Sequence, residues 1–249
     1  MRPQRKEVVP DARRTHGRTA LQQHRLAPLR QAPQENGPAV IAWRRFPMNS
    51  TSNAGFGPVL AVRSLLSDLT VPYWIAGGWA IDLAAGRVTR DHADVDIMLL
   101  ERDEHALRTD LTEVDVQLIG HNGQPGPWLA GTEPGLRRPI TAPGRLVLHS
   151  KNLPLPTEVL LASAVGAFWV HHRGVRCVRR PLAEITCHRD GIPFLAPEVV
   201  LLFKSRSKTD RDRRDVQTAL PVLNAEQRSW LRDTLEHLPR GQTAPVPRR

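Results

Sequence analysis

Residues 77–96 read "GGWAIDLAAGRVTRDHADVD". A glycine pair opens a short apolar segment, and two aspartates one residue apart close the stretch. Neither feature favours folding, because glycine gives up the most backbone entropy and aspartates that share a strand face repel each other. The explanation has to be chemical. In "ADVDIMLL" (93–100), Asp94, Asp96 and Met98 fall on one face and Val95, Ile97 and Leu99 on the other. Residues i and i+2 of a strand lie about 6.7 Å apart at Cα. Two carboxylates at that spacing are reconciled by a divalent cation, and magnesium takes oxygen ligands at about 2.1 Å from one or two carboxylates plus substrate phosphates. D-x-D alone recurs by chance and most often marks a solvated strand edge. The glycines add to it. A Gly-Gly turn entering a helix lets backbone N–H groups approach phosphate oxygens with no Cβ in the way.

Working outward, Val59, Val62, Leu65, Leu66 and Leu69 recur at helical spacing, so 56–69 reads as an amphipathic helix that Pro72 ends. "YWIAGG" (73–78) reads as a buried strand and turn, and "WAIDLAAG" (79–86) as a short helix with Gly86 as its C-cap. A helix is expected over 101–112 and a strand over 114–120. Residues 121–157 are rich in Pro and Gly. Strands are expected at 145–149 and 157–162, and a hairpin at 167–180. Helices follow at 197–207, 212–220 and 225–237. Strands interleaved with helices, then helices alone, predict a mixed α/β (α+β) fold: a small mixed β-sheet core at 51–196 flanked by helices, with a helical C-terminal part at 197–239.

The chain has 249 residues and a formal net charge of +10. Residues 1–50 alone hold ten Lys/Arg against three Asp/Glu. The basic character therefore belongs mostly to a Pro- and Arg-rich front segment that reads as a disordered tail, and 240–249 reads as a second, frayed one. Met48 stands just before the first helix and is an alternative start of translation. No apolar run reaches the 18 or so residues of a membrane span, and no secretory signal pattern is present. The expected location is cytoplasmic. Cys177 and Cys187 lack metal-ligand spacing and are expected as two buried thiols.

The run "WIAGGWAIDLAAGRVTRDHADVDIMLLERDE" (74–104) resembles the DNA polymerase β-like nucleotidyltransferase superfamily, and within it the aminoglycoside 2″-adenylyltransferase branch, whose GGWAID…GR.TR.H.D.D pattern it carries at every fixed position. A looser resemblance extends through "GIPFLAPEVVLLFKSRSKTDRDRRDV" (191–216), so that it covers about 55–238 in all.

The resemblance implies a nucleotidyltransferase using Mg2+ and a nucleoside triphosphate, most simply ATP. It would transfer a nucleoside monophosphate to the hydroxyl of a small-molecule acceptor such as an aminoglycoside. It implies Asp94 and Asp96 as metal ligands, with a third carboxylate on a neighbouring strand. Glu158 in "LPTEVLLAS" is the candidate for that role as ligand and general base, and Asp115 in "EVDVQLIG" is its rival. Gly77 and Gly78 would meet the phosphates, with Arg90, His92 and Lys204 supplying positive charge; for the last three, salt bridges and a snorkelling lysine are the plainer alternatives. Asp212 and Asp215, at i and i+3, read as partners for nearby arginines. Trp74 and Trp79 read as core. The charged residues of 121–157 (Arg137, Arg138, Arg145 and Lys151 against Glu133) are mainly basic, which suits a polycationic acceptor poorly. Two other readings stay open: a toxin-type nucleotidyltransferase acting on tRNA or protein, and a non-catalytic descendant that binds nucleotide or nucleic acid.

Overall fold

The structure is a computed structural model that describes residues 44–45, 55–111, 114–120, 124–126, 144–173, 176–207 and 209–238. Most of the front segment, Met48, Arg137, Arg138, Glu133 and 240–249 lie outside the described residues. In chain order the elements are β1 (Arg44–Arg45), α1 (Gly57–Leu65), β2 (Tyr73–Ile75), α2 (Gly77–Ala85), β3 (Val95–Leu100), a 3-10 turn (Glu101–Asp103), α3 (Ala106–Thr109), β4 (Asp115–Gly120), β5 (Pro125–Gly126), β6 (Gly144–His149), β7 (Thr157–Val165), β8 (Phe168–Arg173), β9 (Arg176–Pro181), α4 (Leu182–Ile185), β10 (Thr186–Arg189), β11 (Ile192–Leu195), α5 (Pro197–Lys204), α6 (Asp210–Ala219), a second 3-10 turn (Leu220–Val222) and α7 (Ala225–His237).

The strands form one mixed sheet in the order β1-β10-β11-β2-β3-β7-β6-β4-β5, and β8 and β9 branch from the far end of β7. At its centre β3 and β7 run parallel, with Asp96 opposite Glu158, Ile97 opposite Val159 and Met98 opposite Leu160. Ile97 through Leu100 are all buried, as expected of a central strand covered on both faces. Thus the pairing that stabilises the sheet also brings one acid from each strand side by side.

α1 seats Val59 and Val62, with Leu66 just beyond it, in the core. α2 is buried almost throughout, from Gly78 to Ala84, because its sequence is apolar except at Asp82, whose carboxylate is met by Thr89 and His92. It packs against β3, β11, α5 and α6. Gly86 ends α2 in the left-handed conformation at φ 76°, its N–H bonded to Asp82 O. α6 is capped by the Thr209 side chain, and α7 by a capping box of Asn224 and Gln227.

Four features depart from what the sequence predicts. Residues 101–112 form a 3-10 turn and a single α-helical turn rather than one helix. Only Ala106, Leu107 and Leu111 supply buried apolar contacts there, while Glu101 accepts from Ser163 and Arg102 donates to Gly166 O. β10 and β11 form a hairpin the reading did not anticipate. They turn at Asp190 (φ 50°) and Gly191 (φ 74°), the Asp-Gly signature of a two-residue type I′ turn. Of the two free cysteines, Cys187 is buried but Cys177 is exposed on β9, whose pairing is with β8 alone. Inside the segment read as a tail, Arg44 and Arg45 add a short parallel strand beside β10. No helix among the described residues is long and apolar enough to cross a membrane.

Candidate active site

The site is built where the β2–α2 turn presses on β3. Ala76 N–H donates to Asp96 O at 2.8 Å, which pins the turn to the strand. Gly77 adopts φ 58°, a conformation that side chains with a Cβ rarely take. A Cβ there would also overlap Asp96 Oδ2 outright. Glycine is therefore required twice over, and the space it leaves is filled by a carboxylate. A Cβ on Gly78 would run into the Arg90 guanidinium and lie 2.7 Å from His92 Cε1. The two glycines bring α2 against Asp96 on one side and against the 87–94 loop on the other.

Asp96 is partly buried, and its carboxyl is pushed up from the ordinary value to about 6. Burial is the main cause; repulsion from Asp94 and Glu158 adds to it, and attraction to Lys204 and Arg211 opposes it. Asp94, Asp96 and Glu158 thus share one electrostatic environment. They are not drawn together as a ready-made cage: among the described residues no three His, Cys, Asp or Glu side chains stand close enough to hold a metal by themselves. Glu158 sits next to Asp96 across the parallel ladder. Asp115 lies on β4, beyond β7 and β6 as seen from β3. It is exposed, and its Oδ2 accepts from Gln117 at 2.5 Å. The strand order therefore brings Glu158, and not Asp115, to the aspartate pair.

The loop residues take protein partners. His92 Nε2 meets Asp82 Oδ2 at 2.7 Å, with only 3 % and 1 % of the two side chains exposed. Thr89 Oγ1 donates to Asp82 Oδ1 at 2.5 Å. Arg90 makes a bidentate pair with Asp215, at 2.7 Å from Nε and 3.1 Å from Nη2. Lys204 Nζ lies 2.5 Å from Asp212 Oδ1 and 2.8 Å from Asp215 Oδ2. Burial works against the charge of Asp215, yet hydrogen bonds from Arg90 and Lys204 hold its carboxyl below the usual range. Asp212 is lowered as well; its hydrogen bonds from Lys204, Ser207 and Thr209 outweigh burial. Arg90 and His92 therefore tie the loop to α6 and α2, and Lys204 sits between the acids of α6 and the field of Asp96. The reading of Asp212 and Asp215 as arginine partners applies to Asp215; Asp212 is held by Lys204. Arg211, close enough to lower the Asp96 carboxyl, was not anticipated, and its only sequence signal was its place in the "RDRRD" run.

These carboxylates, from strands that are neighbours in space and distant in sequence, offer a hard oxygen donor set beside a turn that opens a helix. The set suits a divalent cation whose shell is completed by phosphate oxygens.

Comparison with known proteins bears on the same elements. Residues 58–121 match the family model described as aminoglycoside-2″-adenylyltransferase, a span that holds the glycine turn and both aspartates but stops short of Glu158 and Lys204. A 2″-aminoglycoside nucleotidyltransferase of Escherichia coli is 63% identical over 30 residues, 12% of this chain and 17% of that protein. The chain thus aligns with less than a fifth of the length of the curated relatives it matches first. A lincosamide resistance protein of Staphylococcus haemolyticus is 23% identical over 157 residues, 63% of this chain and 88% of that protein. Among solved structures, the lincosamide antibiotic adenylyltransferase LnuA bound to lincomycin is 17% identical, covers 70% of this chain and 100% of its own, and has a TM-score of 0.48. Residues 58–121, about a quarter of the chain, are thus similar to the aminoglycoside-2″-adenylyltransferase family.

Proposed function

We propose that this chain is a Mg2+-dependent nucleotidyltransferase that moves a nucleoside monophosphate, AMP from ATP, to the hydroxyl of a small antibiotic-like acceptor. The observation that carries the reading is the placement of Asp96, beside Glu158 and in the field of Asp94, against a glycine that cannot carry a Cβ. The family match over 58–121, the short match to a 2″-aminoglycoside nucleotidyltransferase and the likeness to a lincosamide resistance protein support it.

Asp94 and Asp96 would hold the cation, with Glu158 completing the set. When bound, it would supply charge neutralisation for the triphosphate and lower the pKa of the attacking hydroxyl. Glu158, partly buried like Asp96 and beside it across the ladder, would accept the acceptor's proton. The acceptor oxygen then forms its bond to the α-phosphorus as the bond to pyrophosphate breaks, and the electron pair leaves with pyrophosphate. Lys204 and Arg211 keep positive potential over the carboxylates as negative charge builds on the leaving group. Gly77 and Gly78 let the turn approach both carboxylate and substrate. Arg90 and His92 act from behind by holding the loop.

The test is a transfer assay with α-labelled ATP, Mg2+ and a panel of aminoglycosides and lincosamides. The reading predicts pyrophosphate release and a labelled drug, both lost in EDTA. Nucleotide binding without pyrophosphate release for any acceptor would overturn it in favour of a non-catalytic binder. Exposed Arg176, Arg179, Arg213 and Arg214 give a second reading its footing: a polyanionic acceptor such as RNA, shown by label passing to tRNA instead of drug.

A further inference from the structure

Trp79, in the first turn of α2, is only 4 % exposed and reads from sequence as a core residue. Its contacts are more specific than that. Indole Nε1 donates to the backbone oxygen of Asp94 at 2.9 Å. One side of the ring lies on the His92 imidazole, with centroids 4.1 Å apart and planes within 22°, and Phe56 leans on it at 6.2 Å. His92 is fixed in turn by Asp82. Trp79 and Asp82 are three residues apart on α2 and so project from one helix face. The chain of contacts runs from α2 through the indole and the imidazole and returns to α2, enclosing the loop that leads into β3.

The two aspartates are held differently. Asp96 lies inside the ladder, paired with Glu158, and its carbonyl receives Ala76 N–H. Asp94 lies before the first ladder pair, which begins at Val95. The Asp94–Val95 peptide is tied on two sides: Val95 N–H donates to Pro156 O at 2.9 Å, and the Trp79 indole donates to the Asp94 oxygen. A buried indole N–H needs some acceptor. Trp74 shows what an ordinary one looks like in this protein: its Nε1 donates to Thr186 Oγ1 on β10 at 2.7 Å, with no link to the aspartates.

We propose that Trp79 is a positioning residue for the transfer reaction: its indole N–H fixes the Asp94 peptide so that the Asp94 carboxylate meets the divalent cation together with Asp96. The proposal rests on the reading of these carboxylates as the divalent site. Groups that orient metal ligands from behind typically change metal affinity or activity by about 10- to 100-fold when removed.

The experiment compares Trp79→Phe, which keeps an aromatic ring and loses the donor, with Trp74→Phe, which loses an equivalent buried donor elsewhere. Mn2+ binding is titrated by electron paramagnetic resonance in the presence of α,β-methylene-ATP, alongside kcat and KM in Mg2+. The expected result is an Mn2+ Kd raised about tenfold or more in Trp79→Phe, with kcat lowered and KM for ATP little changed. Trp74→Phe should stay within about twofold of the unaltered protein: Trp74 pairs with Met98 of β3 through the backbone, but its donor goes to Thr186 and reaches neither aspartate. Benzothienylalanine at position 79, which keeps the bicyclic shape and lacks the N–H, should reproduce the Trp79→Phe result if that variant folds poorly. Unchanged Mn2+ affinity in the donorless variants, or an equal loss in Trp74→Phe, would overturn the positioning role. Failure of the unaltered protein to bind Mn2+ with the nucleotide analogue would instead remove the divalent site itself.

Discussion

Asp96 carries a cost that the rest of β3 does not. Its carboxyl titrates near 6 instead of 3.8 because it is buried close to two other acids. In the metal-free protein the folded state therefore holds this proton up to a higher pH than the unfolded state does. That contribution to stability is complete below about pH 4 and is lost as pH rises through about 6. Asp96→Asn should then raise the unfolding free energy measured by urea titration in EDTA at pH 8 by at most about 3 kcal/mol for a two-unit shift, with no gain at pH 3.5. The same variant should lose transfer activity by at least about 1,000-fold, the scale expected when a group acting at the transition state is removed. Gaining stability while losing activity is the mark of a functional carboxylate, and a variant that lost both would point to a structural one. Gly77→Ala tests the other side of the contact. The left-handed backbone costs about 2 kcal/mol for a residue with a Cβ, and the new methyl would displace Asp96. Urea unfolding should register the loss, and transfer should fall with it.

At the scale of elements, the 87–94 loop works as a brace. The Arg90–Asp215 pair has side chains 11 % and 2 % exposed, so Arg90→Met would leave Asp215 with only Lys204 to balance it. The expected loss is about 3 kcal/mol, the range for breaking a buried pair from one side; a change below about 0.5 kcal/mol, typical of an exposed pair, would contradict the brace. Much of this level was legible in the sequence. The alternation of 93–100, the short helix ending at Gly86 and the apolar start of β7 follow from periodicity and from the turn residues. The Asp190–Gly191 hairpin was equally legible, since Asp-Gly between apolar runs is a strong local signal. The partners of Arg90 and Lys204 were not legible, whereas Asp82, a nearby acid open to the loop as a salt-bridge partner, is the one His92 takes. A motif gives spacing along the chain, whereas Asp215 reaches Arg90 across 125 residues. The glycine pair shows the same limit: its fit to phosphates could be argued from sequence, but its tight contact with Asp96, Arg90 and His92 could not.

For the molecule as a whole, the C-terminal helices are locked to the sheet through buried charge. Arg180 of β9 pairs with Glu198 of α5 at 2.9 Å, lies over the Trp230 ring of α7 at 4.2 Å, and shares Glu198 with Gln227, whose Nε2 donates at 2.8 Å. Glu198→Ala would leave the buried Arg180 to the half-exposed Glu184 and should cost about 3 kcal/mol, the low end for breaking a buried pair from one side. Because this link crosses from sheet to helices, residues 55–238 are expected to melt in one calorimetric transition, and two resolved transitions would show that the helical part folds apart from the sheet. The same arrangement explains why the site needs the whole described chain: the glycine turn and both aspartates fall in the matched segment 58–121, while Glu158, Lys204 and Arg211 arrive from β7, α5 and α6.

The central claim is that Asp94, Asp96 and Glu158 receive a divalent cation shared with a triphosphate. Crystals grown with Mn2+ and α,β-methylene-ATP and measured at the manganese absorption edge test it directly. The account predicts an anomalous peak within about 2.2 Å of carboxylate oxygens of Asp94 and Asp96, bridging to phosphate. A nucleotide bound with manganese elsewhere, and these side chains making no contact with it, would contradict the account.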